Sequence, residues 1–270
     1  MLDAWEVGRP ERVGDVEVTV GADHVATMEL QRQPNNFFDL DLIRTLADVA
    51  EALAADGRSR VIVLAAAGKH FSAGANFTGG GDAAGVLTAE QGPMALYDEG
   101  LRLFGAPLPI VAAVQGAAIG GGLGLACAAD FRVASAASRF AANFARLGFH
   151  QGFGLSVSLP AIIGQQAALD LLYTGRRVDG ATAHRIGLVD RLVDDTDIRS
   201  AAHALALDIA ASAPLAVASI RATMRAGLVE RVREALPREA AEQVRLRATA
   251  DFAEGVRASA ERREPDFGGH

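Results

Sequence analysis

Cysteine is nearly missing from this chain of 270 residues. Cys127 stands alone, so no disulfide can form within the chain, and a reducing, cytoplasmic setting is expected. Lysine is equally scarce: Lys69 is the only one, and the other basic residues are arginines, which reads as a codon-composition bias rather than as function. No basic block stands out and the formal net charge is -7, so nucleic acid is not an expected partner. Local arginines can still hold an anionic ligand against that net charge. The opening MLDAWEVGRPERVGD carries charge early and has no apolar centre, so no signal peptide is read there. The longest apolar stretch, Pro109 to Ala129, is broken by Gln115 and five glycines and runs into Asp130. It reads as a buried strand, loop and helix, and no membrane span is expected. The P-loop pattern, the G-x-G-x-x-G fingerprint and the G-x-S-x-G elbow are all absent. The histidines show no close pairing, so no metal site is expected.

Half of the residues are hydrophobic, enough for a full core. Val16 to Val20 and Val25 to Leu30 read as a hairpin. Asp39 caps a helix with apolar residues at Leu42, Ile43, Leu46, Val49, Ala50 and Leu53, and Gly57 ends it. Val61 to Ala66 and Ile110 to Val114 are continuous apolar runs, as in strands buried on both faces, and Phe131 to Ala134 is a third strand. Gly79 to Gly85 is read as a mobile loop and residues 88 to 104 as a helix. After Ser156 the strand signal nearly vanishes; helices are expected over Ile198 to Ile209, Leu215 to Met224 and Asp251 to Arg262, with Pro237 opening or breaking a further one. The rhythm is that of an α/β fold. The expected division is an α/β core over residues 1–200 carrying the ligand site, followed by a helical region over 201–270.

Two segments carry the chemistry: GKHFSAGANF, Gly68 to Phe77, and PIVAAVQGAAIGGGLGLACAADFRVAS, Pro109 to Ser135. Each puts small residues directly after a strand, where a ligand can approach the backbone and a helix start offers unpaired N–H groups. Two such groups converging on one point would form an oxyanion hole; the alternative is that the glycines serve tight helix–strand packing.

FSAGANF resembles the crotonase pattern F-x-A-G-A-D, VQGAAIGGGLGLACAADFRVAS resembles V-x-G-x-x-x-G-G-G-x-x-L-x-x-x-x-D, and the tail EGVRASAERREPDF resembles the closing E-G-x-x-A-F-x-E-K-R-x-P-x-F of the same family. The resemblance to the crotonase (enoyl-CoA hydratase/isomerase) superfamily covers nearly the whole chain. It implies an α/β fold, a crotonase-like spiral of ββα units with a C-terminal helical trimerisation region, assembled as a homotrimer or a dimer of trimers. It implies an acyl-CoA substrate with no cofactor beyond the coenzyme A moiety, and backbone donors at Ala75 and Gly121 that stabilise a thioester enolate.

Where hydratases of the family carry their two catalytic glutamates, this chain has Gly124 and Phe144. Asn76 replaces the usual aspartate, and Gly152 stands where isomerases place a carboxylate. Ordinary hydration is therefore not expected, and restoring both carboxylates is expected to raise it. Tyr97 matches by position a catalytic histidine of the related aroyl-CoA dehalogenases; it either donates a proton or packs on the inner face of its helix. His150 reaches the pocket rim or is a surface histidine. Asn143 and Phe144 are read as substrate-binding positions along with Asn76. Arg262 replaces a basic tail residue that contacts the phosphates of CoA in the family, or lies on a solvated helix face. Phe37 and Phe38 are placed near the CoA entrance. The implied function is an enzyme of lyase or isomerase type acting through a thioester enolate; the alternative is a non-catalytic acyl-CoA binding protein.

Overall fold

The computed structural model describes residues 5–76 and 92–270. The glycine-rich segment Gly79 to Gly85, Phe77 and the first residues of the helix expected from 88 lie outside the described residues. The strands are β1 (Glu11–Val13), β2 (Val16–Val20), β3 (Val25–Leu30), β4 (Val61–Ala66), β5 (Ile110–Val114), β6 (Ala117–Ile119), β7 (Phe131–Ser135), β8 (Arg139–Ala141), β9 (Val178–Asp179) and β10 (Arg191–Val193). The helices are α1 (Leu40–Asp56), α2 (Gly92–Phe104), α3 (Gly121–Ala128), α4 (Leu155–Ile163), α5 (Gln165–Thr174), α6 (Gly180–Arg185), α7 (Ile198–Ala210), α8 (Pro214–Arg247) and α9 (Ala250–Glu261).

The hairpin β2–β3 is antiparallel, and from β3 onward the larger sheet is parallel, in the order β1-β2-β3-β4-β5-β7-β10. Alternation along the parallel strands feeds two cores. Ile62, Leu64, Ala112 and Val114 pack on one face with α1. Val61, Val63, Val111 and Ala113 pack on the other with Ile198, Ala202 and Ala206 of α7. This is why β4 and β5 read as unbroken apolar runs. The Asp39 carboxylate accepts from Leu42 N–H at 3.0 Å and Gly57 closes α1 in the left-handed region at φ 73°, as the cap residues predict.

A second sheet, β6-β8-β9, is small but decides where the site forms. β5 passes through Gln115 and Gly116 straight into β6, so one run of chain crosses from the first sheet to the second. The strand signal after Ser156 is weak because β9 and β10 hold only two and three residues.

One expectation needs correcting. Pro237 neither opens nor breaks a helix; it lies inside α8, a single helix of 34 residues. Tertiary contacts hold the helix on both sides of the proline. Arg221 and Arg225 pair with Asp130 at 2.9 and 3.3 Å, and the Glu239 carboxylate accepts from Gly154 and Ser156 N–H at 2.8 and 2.9 Å. Local propensity yields to such anchoring. The half of α8 before Pro237 leaves Leu215, Ile220 and Met224 exposed at 86, 62 and 76 %. Among the described residues, no single helix is long and apolar enough to cross a membrane.

Candidate active site

The two glycine-rich segments are zipped together by backbone bonds. Phe71 N–H donates to Gln115 O at 2.9 Å, Ser72 N–H to Ala117 O at 3.0 Å, and Ile119 N–H to Ser72 O at 3.0 Å. Ser72 thus pairs in parallel with Ala118 of β6. Ala75 and Gly121 each follow the paired residue by three positions, so the two chains leave the bridge side by side. Both line one cavity of about 270 Å³, together with Ala73, Asn76, Ile119 and Gly120. Neither the Ala75 nor the Gly121 N–H has a partner among the described residues; Gly121 is the first residue of α3, where a free N–H is the rule.

Glycine is required at this junction by close approach. A Cβ on Gly122 would lie 2.2 Å from Ser72 O, and one on Gly121 would lie 2.1 Å from the Phe38 ring. Phe38 is held there because its N–H donates to Gly74 O at 3.0 Å. Buried Asn36 ties the preceding loop to the first segment, donating to Ala67 O and His70 O at 2.8 and 2.6 Å. Phe37 and Phe38 both line the cavity.

Of the positions singled out in the sequence, Asn76, Tyr97, Asn143 and Phe144 also face this cavity. Phe144 is 7 % exposed and stacks on Phe149, ring centroids 5.4 Å apart. Tyr97, on α2, is 4 % exposed, packs inward and lines the cavity. Burial, reinforced by the Glu239 charge, pushes its phenol well above the ordinary tyrosine range; the Phe153 backbone and Arg247 act the other way. Tyr97 is thus a neutral hydrogen-bond donor, not a base.

His150 and Arg262 are not on the cavity wall. His150 Nδ1 lies 2.7 Å from the carbonyl of its neighbour Gln151. Arg262 is exposed at the left-handed C-cap of α9, at φ 57°. The arginines that do line the cavity are Arg177 and Arg247, the guanidinium of the latter 5.5 Å from the Phe252 ring centroid. Neither stood out in the sequence, nor did Gln243 and Phe153, which also line the cavity. A signal for two of them was present: Glu239, Gln243 and Arg247 recur every four residues on one face of α8. The Phe153 ring fills the space between α2 and α3, lying 2.8 Å from a Cβ placed on Gly100, while a Cβ on Gly124 would be 3.0 Å from Phe153 Cβ. Among the described residues no group of three or more His, Cys, Asp or Glu side chains could hold a metal ion.

The profile of the enoyl-CoA hydratase/isomerase family matches residues 21–270. A protein named probable enoyl-CoA hydratase EchA12, from Mycobacterium tuberculosis, is 36 % identical over 253 residues, covering 90 % of this chain and 89 % of that protein. A probable enoyl-CoA hydratase of Bacillus subtilis is 31 % identical over 250 residues, covering 91 and 95 %. The crystal structure of an enoyl-CoA hydratase/isomerase from Pseudoalteromonas atlantica superposes with a TM-score of 0.81 at 29 % identity, over 94 % of this chain and all of that one.

Proposed function

Since this chain belongs to the enoyl-CoA hydratase/isomerase family, we propose that it binds an acyl-CoA thioester and polarises its carbonyl between the N–H groups of Ala75 and Gly121. The observation that carries this reading is that both residues line one cavity and both N–H groups are unspent. Two donors aimed at an oxygen that gains charge stabilise an enolate more than they stabilise the ground-state thioester, and each such donor is worth about 2.7–4 kcal/mol in other enzymes. No cofactor beyond the CoA moiety is needed for that step. Asn76, Asn143 and Phe144 contact the bound acyl thioester, and the lining arginines Arg177 and Arg247, with Arg262, meet the phosphates.

Ordinary hydration is not the reaction of this site. Hydration needs one group to activate water and another to protonate the α-carbon, and each contributes about 10²–10⁴-fold. Gly124 and Phe144 can do neither, and the space beside Gly124 is filled by Phe153. Tyr97, with its proton retained, is the acid, and His150 is a more distant candidate. The same loss of carboxylates favours a second reading, an acyl-CoA binding protein without turnover. A turnover screen over crotonyl-, longer enoyl-, malonyl-type and aroyl-CoA thioesters separates the two. Consumption of any of them establishes an enzyme; tight binding with no consumption establishes a binder; no binding of any thioester overturns both.

A further inference from the structure

Tyr97 and Gln243 come from different helices, α2 and α8, and meet at Gly152. A Cβ placed on Gly152 would lie 2.0 Å from the Tyr97 hydroxyl oxygen and 2.7 Å from Gln243 Nε2. All three residues line the cavity. Both side chains are more than nine-tenths buried, at 4 and 6 % exposure. Buried polar groups are costly unless their hydrogen bonds are made. Here they are only half made. One N–H of the Gln243 amide donates to His150 O at 2.9 Å, which leaves the second. The Tyr97 hydroxyl oxygen accepts from the Phe153 backbone N–H, and its own proton is retained because the phenolate is disfavoured.

The surrounding wall is apolar, formed by Leu96, Phe144, Phe149 and Phe153. A neutral phenol and an amide with a second N–H, side by side in such a wall, are a recognition element for an acceptor. The arrangement is also rigid. Glu239, one helical turn before Gln243 on α8, fixes the segment after Phe153 through Gly154 and Ser156, while Gln243 fixes the segment before it through His150. The Phe153 ring, wedged between Gly100 and Gly124, closes the space on the side of α2 and α3.

We propose that the acyl group carried by the substrate bears an acceptor oxygen of its own, a keto or carboxylate oxygen, which binds between the Tyr97 hydroxyl and Gln243 Nε2. The inference rests on the acyl-CoA reading above and names its substrate class. An unsubstituted acyl chain leaves both donors buried without partners, so the pair selects against it. A site built to hydrogen-bond a substrate group discriminates more strongly against its absence than an apolar pocket discriminates by size.

The test compares three four-carbon thioesters by titration calorimetry on the whole protein: acetoacetyl-CoA with a keto oxygen, succinyl-CoA with a carboxylate, and butyryl-CoA with neither. The expected result is that acetoacetyl-CoA or succinyl-CoA binds about tenfold or more tighter than butyryl-CoA. Whichever of the two is preferred identifies the oxygen. Tyr97→Phe and Gln243→Leu should each collapse that ratio. Equal binding of all three, or a ratio untouched by both substitutions, overturns the inference but leaves the acyl-CoA reading standing. Failure of all three to bind overturns both.

Discussion

Phe153 presses on the position of any side chain at Gly124: a Cβ there would lie 3.0 Å from both Cβ and Cδ1 of Phe153. Restoring both carboxylates, as the sequence suggests for raising hydration, therefore also has to accommodate Phe153 at position 124. Gly124→Glu makes Phe153 give way by a few tenths of an ångström at its Cβ and Cδ1, and overpacking of this kind costs about 1–3 kcal/mol. The single variant should be destabilised in urea unfolding and gain no hydratase activity. Adding Phe153→Ala should recover part of the loss, as a double-mutant cycle would show. A Gly124→Glu protein as stable as the parent would contradict this packing.

Tyrosine titration tests the state of Tyr97. The chain has two tyrosines, Tyr97 buried and Tyr173 exposed at 75 %. With its folded value above the reference of 10.0, Tyr97 binds its proton more tightly in the folded state than in the unfolded one. Its contribution to stability is therefore present below about pH 10 and is lost as pH rises toward the folded value. Ultraviolet difference spectra should show only one tyrosinate until the protein unfolds, and Tyr97→Phe should flatten the fall in stability above about pH 10. Two tyrosinates in the native protein would show that the phenol is not shielded.

The exposed side chains Leu215, Ile220 and Met224 on α8 call for a covering surface, and light scattering should report a trimer or a hexamer. Ile220→Glu with Met224→Glu should shift the population toward monomer at low protein concentration. A stable wild-type monomer would remove the argument.

Arg177 should matter more to CoA binding than Arg262, because Arg177 lines the cavity and Arg262 sits exposed beyond α9. Arg177→Glu should weaken binding of a CoA thioester by about tenfold at low salt, with the difference shrinking as salt screens it. Arg262→Glu should give a smaller effect of the same sign. An Arg177→Glu protein with unchanged affinity at low salt would place the phosphates elsewhere.

Much of the frame was legible in the chain, because β4, β5 and α1 announce themselves through apolar runs and caps that tertiary contacts only reinforce. Ala75 and Gly121 were legible for a different reason: close approach at Gly121 and Gly122 demands glycine, and that demand survives in the sequence as a motif. Part of the remaining wall was not legible. Phe153 lies in the left-handed region at φ 58°, a conformation a phenylalanine does not advertise and which costs about 1–3 kcal/mol. Gln243 and Arg247 belong to a long helix held against the cavity by the bonds of Glu239 to Gly154 and Ser156, partners distant in sequence, so their four-residue spacing alone does not show what that face meets. The sequence around Pro237 misleads about α8 for the same reason.

The most direct test of the whole account is the rate of crotonyl-CoA hydration by the wild-type protein, followed through loss of the enoyl absorbance, alongside a binding titration of the same thioester. Crotonyl-CoA or a close thioester should bind while hydration is undetectable or orders of magnitude below ordinary turnover, since two groups worth about 10²–10⁴-fold each are missing. A hydration rate within the ordinary range of about 1–10³ per second would contradict it, and would mean that water is activated in this site without a carboxylate at position 124 or 144.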